Sequence, residues 1–341
     1  MVQCGVGQFF CRRDDNYTIY DEDLEIHQQK RRAAAKTRKI GCTVSLFLSI
    51  LGTISLILYL VLRSRTPTAS YDRNDDYKLL PLIESSSAAD KLPRSGNLFC
   101  WVQTSSMYHD TRALAINETW LHRCDHGQLF TSEKFNDTNI PYSTVFAGIP
   151  DDYYNLFFKS RYAFKYIYEH ISKDFDWYMK ADDDTYVIVE NLKSYLKTLD
   201  PNEPHYLGFE LKPYLKRGYN AGGAGYLLSR AALKIFAEQL YDNAIKCPDD
   251  IYEDVGIARC LANAGIYPED TRNALGQNRF NTFSPSDIFH HRKADTKWVK
   301  YQEKPKYDAF GSDVISFHKL LPDDIRLFEI LLYRTSVNRS T

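Results

Sequence analysis

An excess of charge of either sign is absent from this sequence, in which 43 Lys and Arg stand against 44 Asp and Glu for a formal net charge of −1. Without a basic excess, the composition argues against a nucleic-acid partner. The seven cysteines include no Cys-x-x-Cys pair, which disfavours a zinc ribbon. Internal repeats are also absent, and 341 residues are enough for one large domain or two small ones.

The glycine-rich nucleotide motifs are absent as well. The segment YNAGGAGYLLSRAALKIF, residues 219–236, contains three close glycines but is not Gly-x-Gly-x-x-Gly, and no P-loop Lys-Ser/Thr follows it. Gly222 and Gly223 would let the backbone approach a ligand or another strand closely, and a tight turn is the alternative reading. Ser229 is placed to cap the helix that follows.

One long uncharged run dominates the N-terminal part of the sequence. Residues 40–62 form 23 consecutive positions without a charge, about 35 Å of helix and enough to span a bilayer. The polar segment in front, residues 1–39, is too long for the start of a signal peptide. Its basic residues cluster just before the run, so we expect a cytosolic tail, a single-pass anchor and a lumenal remainder.

The lumenal part divides by composition. Residues 63–96 are rich in Ser, Asp, Pro and charged residues, which predicts a stem. Residues 97–341 then have the size of one α/β domain.

Within residues 97–341, short apolar runs alternate with helical patterns. The runs predict strands at 98–105, 127–133, 142–149 and 176–181, and the patterns predict helices at 112–124, 155–172 and 187–199. This alternation predicts an α/β fold with a mostly parallel sheet and helices on both faces.

Three adjacent acids, Asp182, Asp183 and Asp184, follow the predicted strand at 176–181. They would stand at the carboxyl edge of the sheet, where open α/β sheets bind ligands. One reading is that they cap the next helix. The other is that a divalent cation such as Mg²⁺ or Mn²⁺ sits among them and holds a substrate diphosphate.

A second acidic pair, Glu253 and Asp254, precedes another helical pattern within residues 250–265. Acids are ordinary at a helix N-terminus. A carboxylate separate from the metal cluster could also act as a general base that deprotonates an acceptor hydroxyl.

The predicted lumenal part holds an even set of cysteines and several glycosylation sequons. In a secretory lumen pairing of such cysteines is favoured. The cysteines are Cys100, Cys124, Cys247 and Cys260. The sequons begin at Asn117, Asn136 and Asn338.

Several segments together, in this order behind the anchor, resemble the β1,3-glycosyltransferase family that includes Fringe, and within it the core 1 galactosyltransferase group. The resemblance covers about residues 97–320, and the ordered set is highly specific although single motifs are not. The segments are LFCWVQTS, TRALAINETWLHRC, FDWYMKADDDTYV, GYNAGGAGYLLSRAAL, YEDVGIARCL and VISFHK.

The resemblance implies a GT-A-like fold and a Golgi enzyme that transfers a sugar from a UDP-sugar with inversion. For the core 1 group, it implies transfer of galactose from UDP-galactose to the 3-hydroxyl of N-acetylgalactosamine (GalNAc) on Ser/Thr of glycoproteins, with Mn²⁺ or another divalent cation. The expected partners are O-GalNAc glycoprotein acceptors, the Golgi membrane through a type II anchor, and a second copy of the chain in a homodimer.

The resemblance also implies residue roles. Asp182, Asp184 and His318 would bind the metal, and Asp254 would be the catalytic base. Residues expected near the nucleotide or donor sugar are Thr104, Arg112, Lys159, Asp183, Gly222 and Gly223. Acceptor-binding residues would be Glu253, Trp298 and Tyr301. The implied disulfides are Cys100–Cys124 and Cys247–Cys260.

One region departs from the core 1 pattern. Before its final His motif, the core 1 pattern has an aromatic-rich run near an adjacent cysteine pair. The corresponding residues 296–313, TKWVKYQEKPKYDAFGSD, lack the cysteine pair and carry few aromatic rings. Acceptor identity therefore stays open, and a related enzyme with another donor, such as UDP-GlcNAc, is an alternative. A non-catalytic chaperone or lectin of the same fold is another, although a binding module needs no base at Asp254.

Overall fold

The central strand β1, Ser95–Gln103, has apolar side chains on both faces. The computed structural model describes residues 71–290 and 297–336. Leu98, Cys100 and Val102 enter one apolar core, whereas Phe99 and Trp101 enter a second. Because alternate residues of a strand point to opposite faces, β1 is covered on both sides.

The main sheet has six strands in the order β3-β2-β1-β4-β9-β6. Strands β3, β2, β1 and β4 are parallel, and β9 runs antiparallel to both β4 and β6. The sheet is therefore mixed but mostly parallel, as the sequence predicts. In the described part, the strands are β1 Ser95–Gln103, β2 His126–Phe130, β3 Tyr142–Ser143, β4 Asp174–Asp182, β5 Tyr186–Val187, β6 Tyr206–Leu207, β7 Glu210–Leu211, β8 Tyr219–Asn220, β9 Tyr226–Ser229 and β10 Ser316–Phe317.

Helices cover both faces of this sheet. The α-helices are α1 Leu114–Glu118, α2 Leu156–Tyr166, α3 Val189–Leu196, α4 Arg230–Ile235, α5 Glu253–Ala262, α6 Pro285–Phe289 and α7 Pro322–Glu329. Residues of α1, α3, α6 and α7 lie in the core with Leu98, and residues of α2, α4 and α5 lie in the core with Phe99. The predicted α/β arrangement, a mostly parallel sheet with helices on both faces, is confirmed.

Several predicted elements differ in extent, and two of them differ in kind as well. The strand expected over 142–149 stops at Ser143, because the chain turns and the amide of Ala147 bonds the carbonyl of Thr144 at 3.0 Å. Val145 and Phe146 are fully buried in this turn, so burial alone does not distinguish it from a strand. The helix expected over 112–124 is α1 flanked by a π turn at His109–Ala113 and a 3₁₀ turn at Leu121–Arg123.

Part of the predicted stem is folded onto this domain. Tyr71 and Leu79 are buried in the core with Phe99. The carboxylate of Asp76 accepts from the Tyr71 hydroxyl at 2.8 Å and pairs with Arg161 Nη2 at 2.6 Å, where the Arg161 side chain is 1 % exposed. Residues 71–96 therefore belong structurally to the folded domain.

Both expected disulfides, Cys100–Cys124 and Cys247–Cys260, are present. The first links β1 to the segment before β2, and the second links α5 to the segment before it. No helix among residues 71–290 and 297–336 is long and apolar enough to cross a bilayer. The predicted anchor at 40–62, the tail at 1–39 and Asn338 lie outside the described residues.

Candidate functional site

The carboxyl ends of β1 and β4 lie side by side. Gln103 at the end of β1 pairs in register with Asp182 at the end of β4. The next residues, Thr104 and Asp183, therefore meet, and the Thr104 hydroxyl donates to Asp183 Oδ2 at 2.7 Å. Asp183 is buried, whereas Asp182 and Asp184 are half-buried.

A short strand pair brings His318 to this edge from far along the sequence. Strand β10 pairs antiparallel with β5, with Phe317 opposite Tyr186, and the amide of Leu320 bonds the carbonyl of Asp184 at 3.1 Å. His318 Nε2 then lies 3.1 Å from Asp184 Oδ1. Ligand atoms of Asp182, Asp184 and His318 all lie within 4.8 Å of one another.

These three side chains fit a divalent cation. Two carboxylate oxygens and one imidazole nitrogen form a donor set that suits Mn²⁺. The backbone makes room for the imidazole at Gly223, where an added Cβ would lie 2.1 Å from His318 Cε1. The Thr185 hydroxyl donates to the carbonyl of Gly223 at 2.7 Å and holds this close approach.

Asp184 is strongly biased towards its ionised form. Burial alone would raise its pKa, but His318 and Arg112 outweigh burial and lower the pKa of Asp184 to about 2. Arg112 Nη1 lies 3.4 Å from Asp184 Oδ2 and 3.3 Å from Asp183 Oδ1. Burial disfavours the His318 imidazolium, yet the negative charge of Asp184 raises the pKa of His318 above its usual value.

Lys180 connects the acidic edge to the second acidic pair. Its side chain is only 3 % exposed, its ammonium pairs with Asp182, and it lies 3.7 Å from Glu253 Oε2. The Tyr226 hydroxyl donates to Glu253 Oε1 at 2.6 Å. Sequence reasoning missed Lys180, although a lone Lys in an otherwise apolar strand is a signal that could have revealed it.

Asp254 is the second residue of helix α5 and lies beside Gly222. Gly222 N donates to Asp254 Oδ2 at 3.2 Å, and Val255 N donates to Oδ1 at 2.9 Å. Burial first, and then the nearby charge of Glu253, raise the pKa of Asp254 to about 7 despite these hydrogen bonds. A carboxyl group with such a pKa can accept a proton near neutral pH.

The three adjacent aspartates do not cap a helix. Strand β5 separates them from α3, and the residue before α3, Ile188, provides no side-chain cap. Their side chains instead contact Arg112, Lys180, His318 and the Thr104 hydroxyl. The structure therefore favours the ligand-binding reading of this triplet over the capping reading.

Other predicted site residues have different surroundings. Lys159 is 1 % exposed, pairs with Asp151 and lies over the Phe146 ring at 5.4 Å. The Arg272 guanidinium carbon lies 3.5 Å from the centroid of the Tyr301 ring. These contacts do not join either residue to the acidic cluster.

An aromatic group that sequence reasoning missed surrounds the start of α5. Tyr252 directly precedes Glu253, and its ring stacks on Tyr214 with centroids 5.5 Å apart. Trp298, which the resemblance assigns to the acceptor, meets the Tyr214 ring edge-on at 5.6 Å. Dispersed tyrosines carry no periodic signal, so this grouping depends on the fold.

Comparison with protein families gives a match over residues 94–266, to the family described as Fringe-like. Over 313 residues the chain is 29% identical to glycoprotein-N-acetylgalactosamine 3-beta-galactosyltransferase 1 of Xenopus laevis, covering 88% of this chain and 86% of that protein.

Other similarities are shorter or weaker. Human chondroitin sulfate synthase 3 is 31% identical over 186 residues, 49% of this chain and 20% of that protein. Mouse beta-1,3-glucosyltransferase is 25% identical over 173 residues, 50% of this chain and 34% of that protein. A solved glycosyltransferase involved in the glycosylation of the major capsid of PBCV-1 is 12% identical to this chain. The match covers 69% of this chain and 100% of that chain, and its TM-score of 0.41 is low.

Proposed function

Because the chain belongs to the Fringe-like family, we propose that it is an inverting β1,3-glycosyltransferase that moves galactose from UDP-galactose to the 3-hydroxyl of GalNAc on Ser/Thr of glycoproteins. This reaction builds the core 1 O-glycan. The observation that carries the proposal is the convergence of Asp182, Asp184 and His318 at one edge of the sheet. Asp254, near the same edge, supports it through its raised pKa.

In this proposal, Asp182, Asp184 and His318 hold a divalent cation, with Mn²⁺ the expected ion. A bound cation would offset the negative charge that develops on the UDP leaving group. Arg112 bonds both Asp183 and Asp184, so it fixes the acidic loop and adds positive charge beside the diphosphate position. Thr104 fixes the buried Asp183 from the neighbouring strand.

Asp254 acts in the proposal as the general base. The acceptor hydroxyl oxygen forms a bond to the anomeric carbon of galactose, the bond from that carbon to the UDP oxygen breaks, and the hydroxyl proton passes to the Asp254 carboxylate. Attack from the face opposite UDP inverts the anomeric centre. Gly222 N positions the accepting carboxylate through its bond to Oδ2.

We also propose that the protein is a type II Golgi protein, anchored by residues 40–62, with residues 63–341 lumenal. Asn136 is exposed and suited to carry a glycan, whereas Asn117 is half-buried in α1. Protease treatment of intact microsomes should spare residues 63–341 and trim only the tail. Digestion of the C-terminal part would contradict the orientation.

The test of the reaction uses the full-length chain purified in detergent, with Mn²⁺ and a GalNAc-bearing glycopeptide. UDP release and product mass are measured with UDP-galactose, UDP-GlcNAc and UDP-glucose in parallel. We expect transfer from UDP-galactose, a β1,3 linkage by NMR and loss of activity with a chelator. Preference for another donor would replace the galactosyltransferase assignment, and lack of transfer from all donors would favour a non-catalytic role.

A further inference from the structure

The hairpin formed by β7 and β8 ends in a strained turn centred on Tyr214. The amide of Leu215 bonds the carbonyl of Pro213 at 2.9 Å, which closes a three-residue γ-turn, and Tyr214 has φ +68°. A γ-turn with positive φ is rare and strained. Tyrosine is unfavourable in this backbone region, and such strain in non-glycine residues clusters at functional sites.

The neighbouring segments hold the Tyr214 ring in a fixed position while leaving much of it accessible. Tyr252 stacks beneath it at an interplanar angle of 25°, and Trp298 contacts it at 63°. The Lys212 amide bonds the Trp298 carbonyl at 2.7 Å, so the segment containing Trp298 pairs with the hairpin. Tyr214 nevertheless remains 56% exposed.

The exposed ring lies next to the residues that start α5. Its stacking partner Tyr252 is followed in the chain by Glu253 and Asp254, and β8 leads within two residues to Gly222. A second exposed tyrosine, Tyr153, lies within electrostatic reach of Asp254 and Glu253. Aromatic rings therefore border the region around the Asp254 carboxylate.

We propose that Tyr214 determines acceptor specificity by stacking against the sugar ring of the acceptor while that sugar's hydroxyl faces Asp254. This inference rests on the proposed glycosyltransferase function and concerns its acceptor subsite. A pyranose presents a face of C–H bonds, which suits the electron-rich face of an aromatic ring. A Ser or Thr hydroxyl without a sugar offers no such face, so this subsite selects a glycoside acceptor.

The test measures saturation transfer by NMR from the full-length protein, with UDP and Mn²⁺ present, to the α-methyl glycosides of GalNAc, galactose, fucose and glucose. The variants are Tyr214→Phe, Tyr214→Ala and Tyr214→Gly. Phenylalanine keeps the ring, and glycine removes it while accepting the positive φ without strain. Tyr77→Ala is the matched control, because Tyr77 is 73% exposed and lies in the turn Arg73–Lys78.

We expect at least one glycoside to bind the wild type, Tyr214→Phe and Tyr77→Ala, and to lose binding by about tenfold in Tyr214→Ala and Tyr214→Gly. The acceptor KM should rise by a similar factor, while slow hydrolysis of UDP-galactose by water stays unchanged. Equal binding by all variants, or lack of glycoside binding to the wild type, would overturn the inference. A wild type that binds a glycoside but transfers no galactose would instead contradict the proposed reaction alone.

Discussion

Two half-buried carboxyl groups of this protein, Asp184 and Asp254, have opposite acidities. The pKa of Asp184 is lowered to about 2, whereas the pKa of Asp254 is raised to about 7. Burial raises both, so burial does not explain the difference. Asp184 has His318 and Arg112 beside it, while Asp254 has the carboxylate of Glu253 as its strongest charged neighbour.

The comparison shows how neighbouring charges can separate two tasks. A carboxylate that stays ionised at every physiological pH suits a cation and a diphosphate. A carboxyl group with a pKa near 7 suits proton transfer at neutral pH. Lys180 lies between the two regions, because its ammonium pairs with Asp182 and is 3.7 Å from Glu253 Oε2.

The largest effect is expected from Asp184→Ala, which removes a carboxylate from the three-residue cluster. Metal-dependent binding of UDP-galactose should fall by more than about 100-fold. Losing a residue that only supports a metal ligand typically costs about 10- to 100-fold in metal affinity, and losing a ligand itself should cost more. Calorimetry with UDP and Mn²⁺ measures this loss. The control Asp323→Ala removes a carboxylate whose side chain is 97% exposed, and unchanged affinity in Asp184→Ala would show that the acids only form a turn.

The next largest effect is expected from Asp254→Asn, which keeps the size of the side chain and removes the proton acceptor. Turnover should fall by about 10²- to 10⁴-fold, while affinities for UDP, Mn²⁺ and acceptor stay near normal. Steady-state kinetics measures the loss of turnover, and calorimetry on the same preparation measures the affinities. A normal rate with normal melting behaviour would assign Asp254 to helix capping and make Glu253 the next candidate base.

A smaller and more specific effect is expected from Glu253→Gln. Removing the charge of Glu253 should lower the pKa of Asp254 by roughly one unit. A general base works when deprotonated, so activity rises with pH through the pKa of Asp254, and the acidic limb of the kcat/KM profile should move to lower pH. Glu269→Gln, which alters the partner of His205, is the control, and a limb that stays in place would contradict the coupling.

The smallest effect is expected from Thr104→Val, which removes the hydroxyl that bonds Asp183. The hydroxyl favours the ionised carboxylate, whose pKa burial raises to about 7. The free energy of unfolding should therefore drop by about 1–3 kcal/mol, and more above pH 7, where Asp183 is ionised, than below it. Denaturant unfolding at two pH values measures this drop, and Thr104→Ser should restore most of it.

Features encoded within one segment could be predicted from the sequence. The apolar runs of β1 and β4 are continuous because both faces are buried, and that pattern placed Asp182–Asp184 at the carboxyl edge of the sheet. The disulfide pairing followed from the family resemblance, and the structure contains both bonds.

Features that depend on distant segments could not be predicted by local pattern. The pairing of β10 with β5 positions His318 across more than 100 residues, and two-residue strands leave no periodic signal. The same limit applies to Tyr214, whose exposed ring and strained turn acquire meaning only beside Tyr252 and Trp298. Lys180 stands out within its own strand, but its contact with Glu253 depends on the fold, because Glu253 lies on a different element.

The contacts of residues 71–79 have a consequence for how the protein can be shortened. A secreted fragment that began at Asn97 would lose Leu79 from the core and would leave the Arg161 guanidinium buried without Asp76. Removing one partner of a buried ion pair costs about 3–5 kcal/mol, a large share of the stability of an ordinary domain. Arg73 Nη2 also bonds the carbonyl of Cys247 at 2.7 Å, just before the segment that leads to Asp254, so trimming would loosen the approach to the proposed base as well.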